Sequence, residues 1–145
     1  MTSTSPSLAA PLYVDGPQIF TFALREVPGI VDRALQAAKR DADSVDYFSF
    51  HQADKFMLDR LIRKMRLPQD KCPYSIASYG NTSGASPAVT ACHTIPEINR
   101  NREPGVMFIG FGVGYSWGGV LLRLRPGTVF HIESMPSPAR PRRVG

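Results

Sequence analysis

Apolar residues recur at helical spacing over the first part of the chain. The pattern begins after the turn Asp15-Gly16-Pro17, where the proline suits the first position of a helix, and it continues to Lys39-Arg40. Only Pro28-Gly29 interrupts it. The spacing therefore predicts either one long, kinked helix or two short helices between these limits.

A second helical pattern begins after Asp54 and ends before Pro68. Proline inside a helix removes a backbone hydrogen bond, so Pro68 is expected to stop this one. Its apolar positions share one face, and basic side chains point away from that face, which predicts an amphipathic helix on a core. The apolar face consists of Met57, Leu58, Leu61, Ile62 and Met65, and the basic side consists of Arg60, Arg63 and Lys64.

Short apolar segments predict strands beside these helices. Residues 45–50 mix β-branched and aromatic side chains, and residues 74–77 give a second candidate strand. Residues 106–109 and 120–124 predict two antiparallel strands joined through the glycine-rich segment 110–119. The small residues of 84–95 predict a helix packed closely on a sheet. This alternation indicates an α/β layered fold with helices on a mixed sheet that ends in a glycine-rich antiparallel hairpin.

Composition fits one ordinary domain. The chain has 145 residues, 43% of them hydrophobic and 20% charged, which is enough to bury a core of its own. Residues 12–125 form the predicted folded unit, whereas 1–11 and the Pro/Arg-rich residues 126–145 are predicted to be disordered extensions. Cys72 and Cys92 lie 20 residues apart with no second ligand pair, so neither a disulfide framework nor a metal site is predicted.

The distribution of charge along the chain limits the classes of partner that are expected. The net charge is +5, but Arg140, Arg142 and Arg143 belong to the predicted tail, so nucleic acid is not favoured. No segment approaches the length of about 20 apolar residues that spans a bilayer. The N-terminus lacks a basic region followed by an apolar run, so no secretory signal is predicted. The chain is therefore expected in the cytoplasm.

Two polar residues stand where an α/β sheet binds ligands. His51 follows the first predicted strand and Asn81 follows the second, with a glycine-rich segment further along the chain. Imidazole, carboxamide and free backbone amides can all donate hydrogen bonds to an oxygen that gains negative charge. The residues alone leave an alternative open, in which His51 is a satisfied strand-end histidine and Asn81 a turn residue.

Several local sequences resemble the 3-oxoacyl-[acyl-carrier-protein] synthase III family, condensing enzymes of the thiolase superfamily. The similar segments are residues 51–54 (HQAD), 79–83 (YGNTS) and 110–114 (GFGVG), with a tryptophan and glycine soon after the last. Their order and spacing match the family from about residue 13 to residue 124. The resemblance implies a thiolase-like fold, of which this chain corresponds only to the C-terminal half.

The resemblance also implies a reaction. Family members use a cysteine, a histidine and an asparagine for a decarboxylative Claisen condensation of acyl and malonyl thioesters, carried on CoA or acyl carrier protein, with no cofactor. By resemblance, His51 and Asn81 would hold the malonyl thioester oxygen as enolate charge develops. The backbone amide of Val113 would help to hold the oxygen of the tetrahedral intermediate.

The nucleophile is the main departure from the family. Its cysteine belongs to the N-terminal half, and neither Cys72 nor Cys92 matches that position. The chain is therefore not expected to form an acyl-enzyme by itself. Asp54 stands where the family usually has asparagine, and it would serve equally as a helix N-cap.

The basic side of the second helix resembles the family's docking surface for acyl carrier protein and for the phosphates of CoA. The arginine expected there is replaced by Phe56 or displaced to Lys55. A solvated helix face is the alternative interpretation. By resemblance, the docking residues are Lys55, Arg60, Arg63 and Lys64.

The sequence is consistent with three hypotheses for function. The chain would work as a synthase portion with an N-terminal half supplied by another chain, because a lone half would expose an apolar helix face and a sheet edge. Alternatively, it is a noncatalytic module that binds carrier protein or a synthase. The third hypothesis is a truncated remnant without function.

Overall fold

The computed structural model describes residues 15–95, 103–126, 128, 132 and 133. The predicted N-terminal extension, 1–11, lies outside the described residues, and so does most of the predicted C-terminal tail.

The first helical pattern forms a single helix. Helix α1 runs from Gly16–Ala38, and the side chain of Asp15 caps it by accepting a hydrogen bond from the backbone N–H of Gln18 at 3.0 Å. Pro28 lies inside this helix. At its end, Lys39 adopts the left-handed conformation, with φ 52°. Of the two alternatives that the sequence left open, the structure has the long helix.

Three strands form one mixed sheet in the order β1-β2-β3. Strand β1 (Tyr47–Phe50) pairs in parallel with β2 (Gly105–Gly112), which pairs antiparallel with β3 (Ser116–Arg123). The predicted glycine-rich hairpin is confirmed, and the first strand is two residues shorter than predicted. Within the described ranges β1 has a neighbour on one side only, so its other edge is open, as expected for part of a larger sheet.

The remaining helices connect these strands. Helix α2 spans Lys55–Met65 with Asp54 as its N-cap, as predicted, and α4 spans Ser86–Thr94. The predicted strand at 74–77 is wrong, because this segment contains the one-turn helix α3, Ile76–Tyr79. Short 3₁₀ turns lie at Ala42–Ser44, Gln69–Lys71, Ser83–Ala85 and Val113–Tyr115.

The sheet separates two layers of helices. Met107 and Ile109 contribute to the main core with α1 and α2, whereas Val106, which points to the opposite face, packs with Ala91 of α4. Burial of each large apolar side chain contributes about 1.5–3 kcal/mol to folding. The largest fully buried apolar side chains of the main core are Val27, Val45, Phe48, Phe50, Leu58, Leu61, Met107 and Ile109.

Helix α1 approaches β3 closely at a glycine. A Cβ atom built on Gly119 would lie 2.6 Å from Cγ2 of Ile30, so a side chain there would require Ile30 or its helix to shift. The aromatic ring of Phe22 on α1 packs edge-on against Tyr115 and Trp117. These contacts hold α1 against the turn that follows β2. None of the helices in the described residues is long and apolar enough to cross a membrane.

Candidate active site

His51 lies directly after β1, at the carboxyl edge of the sheet. Its backbone N–H donates to the carbonyl oxygen of Ile109 at 2.7 Å, which continues the strand pairing by one residue. The residue is 8% exposed, and its ring packs edge-on against Phe111 with 5.3 Å between centroids. The ring therefore lies against Phe111 of the neighbouring strand β2 and has limited access to solvent.

One hydrogen bond fixes the tautomer of this ring. Nδ1 of His51 lies 2.8 Å from the carbonyl oxygen of Ser83. A carbonyl oxygen can only accept, so Nδ1 carries the hydrogen. In the neutral ring, Nε2 is then a lone-pair acceptor.

The surroundings favour this neutral form. Burial lowers the pKa of His51, because a charged imidazolium loses its hydration, while the hydrogen bond to Ser83 opposes this with a smaller effect. The neutral ring is thus favoured more strongly than in a free histidine. His51 can accept a proton at Nε2, and it can donate from Nε2 only after it is protonated.

Asn81 follows α3 rather than a strand, which corrects the predicted setting of this residue. Its side-chain Oδ1 accepts a hydrogen bond from the backbone N–H of Ser83 at 2.9 Å, and the residue is exposed. Because the oxygen is engaged, the amide NH₂ is the part of the side chain that is oriented to donate. Gly80 precedes it with φ 64°, a left-handed conformation that favours glycine.

Ser83 joins the two predicted site residues. Its N–H binds Asn81 and its carbonyl oxygen binds His51, so one peptide residue orients both side chains. Ser83 itself has φ 54°, an uncommon conformation for a residue with a side chain. The sequence analysis gave it no role, since both bonds use backbone atoms that any residue type possesses.

Gln52 was also missed. Its side chain is fully buried beside the site, and it binds the backbone at the end of β1 and at the start of α3. The available signal was a carboxamide two residues after an apolar strand, where a polar side chain needs buried partners.

Val113 lies at the same edge of the sheet as His51. It follows the last residue of β2, and parallel strands such as β1 and β2 present their carboxyl ends together. Gly114 next to it has φ 74° and Tyr115 has φ 49°, so the chain reverses sharply before β3. The structure therefore brings His51 and Asn81 together through Ser83, and it puts the Val113 turn at the end of the adjacent strand.

The four predicted docking residues line the exposed side of α2. Lys55 is not a free charge, because its Nζ lies 2.9 Å from Asp59 Oδ2. The guanidinium carbon of Arg60 lies 5.0 Å from the centroid of the Phe56 ring, and Arg63 Nε donates to the backbone oxygen of Asp59 at 3.1 Å. Arg63 and Lys64 occupy the last turn of the helix, where positive charge also complements the helix dipole.

The two cysteines of the described residues differ in their burial. Cys72 is 1% exposed in the main core, and burial raises its pKa to about 12, which keeps it as the unreactive thiol near neutral pH. Cys92 lies half-buried on α4. No group of three or more side chains suited to holding a metal ion occurs in the described parts of the chain.

Comparisons with known proteins agree with this architecture. The family model for the 3-oxoacyl-[acyl-carrier-protein (ACP)] synthase III C terminal matches residues 35–124. The chain is 32% identical over 114 residues to the beta-ketoacyl-[acyl-carrier-protein] synthase III of Prochlorococcus marinus, which covers 79% of this chain and 34% of that protein.

Solved structures of synthases are similar to the fold of this chain. The 3-oxoacyl-(acyl-carrier protein) synthase from Burkholderia xenovorans superposes with a TM-score of 0.77 and 41% identity, covering 81% of this chain and 34% of that one. The priming beta-ketosynthase of the R1128 polyketide pathway has a TM-score of 0.71 and 27% identity, covering 80% of this chain and 35% of its own. The chain thus spans about a third of the length of the relatives it matches.

Proposed function

The chain belongs to the 3-oxoacyl-[acyl-carrier-protein] synthase III C-terminal family, and we propose that it supplies the histidine and asparagine of a decarboxylative condensing site. The nucleophilic cysteine would come from an N-terminal half, on another chain or on the same polypeptide. The substrates would be an acyl thioester and a malonyl thioester, carried on CoA or acyl carrier protein. The reaction needs no cofactor and is proposed to take place in the cytoplasm.

One observation carries this proposal. Ser83 binds His51 Nδ1 through its carbonyl and Asn81 Oδ1 through its N–H, so the remaining polar ends of both side chains are Nε2 and the amide NH₂. Once Nε2 is protonated, this pair can donate two hydrogen bonds to a developing oxyanion from side chains that are already oriented.

The fixed tautomer gives His51 two successive tasks. As a neutral base, its Nε2 takes the proton of the incoming cysteine thiol, and the thiolate then attacks the acyl thioester and expels the CoA thiolate. The resulting imidazolium donates from Nε2, together with Asn81, to the oxygen of the malonyl thioester. Burial disfavours that charge, but the enolate oxygen beside it supplies a compensating negative charge.

The carbon–carbon bond forms in the following step. Loss of carbon dioxide leaves the electron pair of the broken bond on the malonyl α-carbon, delocalised onto the thioester oxygen that His51 and Asn81 hold. The α-carbon attacks the acyl thioester carbonyl, whose oxygen the backbone amide of Val113 helps to stabilise. Collapse of this intermediate returns the cysteine as thiolate.

The basic side of α2 would receive the carrier. Arg63 and Lys64 are exposed in its last turn, whereas Lys55 is partly neutralised by Asp59. We assign the stronger part of binding to Arg63 and Lys64 for this reason, with Arg60 beside them. Their partners would be the phosphates of CoA or an acidic carrier protein.

A condensation assay tests the proposal. The purified chain is mixed with the cysteine-bearing N-terminal part of the Burkholderia xenovorans relative, acetyl-CoA and malonyl carrier protein, and acetoacetyl carrier protein is measured. We expect product with the mixture and none with either part alone. If a stable complex of the two parts forms and yields no product, the proposed activity is wrong.

A noncatalytic carrier-binding module is the second candidate. The exposed Arg60, Arg63 and Lys64 favour it, because a charged face can bind a carrier without a nucleophile. Reversing the charge of Arg63 and Lys64 would then abolish carrier binding, while His51→Ala would leave the biological effect of the chain unchanged. Loss of that effect in His51→Ala would exclude this candidate.

A further inference from the structure

Gln52 is an unusual residue for the interior of this domain. It is 0% exposed and sits between His51 and the start of α2, next to an otherwise apolar core. A buried carboxamide is costly unless its oxygen and its nitrogen both find hydrogen-bond partners. The hydrogen bonds of Gln52 must therefore offset the cost of burying it.

The partners of this side chain lie on two separate segments. Nε2 donates to the backbone oxygen of Phe50 at 3.0 Å, on the last residue of β1. Oε1 accepts from the backbone N–H groups of Ser75 at 3.0 Å and Ile76 at 3.3 Å. The Phe50 carbonyl can only accept a hydrogen bond, and the N–H groups of Ser75 and Ile76 can only donate. These partners therefore determine which end of the amide is Nε2 and which is Oε1.

Gln52 thereby caps a helix from a distance. The first N–H groups of a helix lack partners within it, and Ser75, the N-cap residue of α3, makes no side-chain capping bond. Its Oγ lies instead 2.7 Å from Thr90 Oγ1. The oxygen of Gln52 takes the place of the missing cap.

The capped turn leads directly to Asn81. The backbone oxygen of Ile76 accepts from the N–H of Gly80 at 2.8 Å, which closes α3 immediately before Asn81. Asn81 then binds Ser83, and Ser83 binds His51. Hydrogen bonds and the intervening backbone thus connect the carboxyl end of β1 to α3, then to Asn81 and Ser83, and from Ser83 back to His51.

We infer that Gln52 is a positioning residue that fixes the segment carrying Asn81 and Ser83 relative to His51. This inference rests on the proposed function for its catalytic consequence, but the coupling itself is a property of the folded chain. Because a displacement of about 1 Å can cost on the order of 100-fold in rate, loss of this clamp would act on the step that uses His51 and Asn81 together.

The test compares Gln52→Leu, which cannot bond to either segment, with Gln52→Glu. The glutamate keeps an acceptor for Ser75 and Ile76 and serves as the conservative variant if leucine prevents folding. Gln36→Leu is the matched control, since Gln36 is exposed on α1. The first readout is NMR of the full 145-residue chain, following exchange of the Ser83 amide and the ring nitrogens of His51.

We expect Gln52→Leu to accelerate exchange of the Ser83 amide at least 10-fold relative to the Arg40 amide, which bonds to Leu35 at the end of α1, and to shift the His51 ring signals. Gln52→Glu should give intermediate values, and Gln36→Leu none of these changes. If only Ser75 and Ile76 respond while Ser83 and His51 do not, the positioning role is wrong. If Gln52→Leu does not fold, the same signals in Gln52→Glu decide between the two results.

The second readout is kinetic, in the mixture with the N-terminal part. Gln52→Leu is expected to lower kcat for malonyl decarboxylation about 10- to 100-fold, with KM changed less than 3-fold. Unchanged kcat would overturn the catalytic part of the inference. If NMR shows the coupling but the unmodified chain itself has no activity, the failure belongs to the proposed function and not to the role of Gln52.

Discussion

The two predicted functional regions of this chain differ in how their polar groups are held. At the end of β1, His51 is nearly buried and bonds to the backbone of Ser83, which also orients Asn81. On the outer side of α2, Lys55 pairs with Asp59 in solvent and Arg60 covers Phe56. Buried groups have few alternative partners, whereas exposed charges are screened and rearrange easily. Substitutions are therefore expected to have large effects in the first region and small ones in the second.

The largest expected effect is on the histidine. His51→Ala removes both the base and the donor at Nε2, so condensation by the mixed halves should fall about 100- to 10,000-fold. The measurement is the rate of acetoacetyl carrier protein formation at saturating substrate. The control is Lys39→Ala at the exposed end of α1. A decrease smaller than 3-fold would contradict the role of His51.

Asn81→Asp tests the second donor with little change in shape. The carboxylate still accepts from the Ser83 N–H, but it cannot donate and it repels the enolate oxygen. We expect the turnover of the malonyl thioester to fall roughly 100-fold, while the thermal unfolding midpoint moves little. Acylation of the partner's cysteine, measured by mass, should change much less. Equal losses in both steps would argue against an enolate-specific role.

The pH dependence of the free energy of unfolding tests the effect of burial on the His51 ring. Burial lowers the pKa of His51 in the folded state, so the unfolded chain binds more protons than the folded chain as pH falls through about 6.5. Stability from this residue is therefore present above that pH and is lost below it, by at most about 1.4 kcal/mol per pH unit. Urea unfolding at pH 5.5 and 7.5 should show this difference.

His51→Gln provides the control for that titration, because it keeps a polar side chain without the imidazole. The free energy of unfolding of this variant should depend less on pH over the same interval. An equal pH dependence in both proteins would assign the effect to other groups.

Charge reversal on α2 should affect binding without affecting the fold. The double variant Arg63→Glu and Lys64→Glu is expected to weaken carrier-protein binding about 10-fold at low salt, with a smaller difference at high salt. Titration calorimetry at two ionic strengths measures this. The control is Asp32→Lys, which changes the charge of an exposed residue on α1 instead of α2. Salt-independent binding would contradict an electrostatic surface.

The smallest expected effect concerns the exposed ion pair. Lys55→Ala breaks the contact with Asp59, and the side chain of Lys55 is 63% exposed. The free energy of unfolding should fall by less than about 1 kcal/mol. A loss above 2 kcal/mol in chemical denaturation would show that this region is held as firmly as the site at β1.

The difference between local and distant contacts explains which helices could be predicted from the sequence. Helix α2 was predictable because its apolar period, the Asp54 cap and Pro68 all agree. Helix α3 was mistaken for a strand, since four residues with mixed character give no period, and its cap comes from Gln52, more than twenty residues away. Sequence patterns report local preferences, and this helix depends on a distant side chain.

The candidate site could also be predicted only in part from the sequence. His51 and Asn81 were identified by their motifs, but their orientation depends on the backbone of Ser83, which no residue preference encodes. The tautomer of His51 follows from that carbonyl, and it could not be inferred from residue types. The motifs therefore located the polar groups, and the fold determined which of their atoms remain available.

The central claim is that this chain provides the enolate-stabilising half of a two-part site. It is tested most directly by intact-mass measurement after acetyl-CoA is added to the chain alone and to its mixture with a cysteine-bearing N-terminal half. We predict an acetyl adduct only on the added half, which disappears when malonyl carrier protein is supplied and product forms. A covalent adduct on this chain alone would contradict the account, because Cys72 or Cys92 would then be the nucleophile.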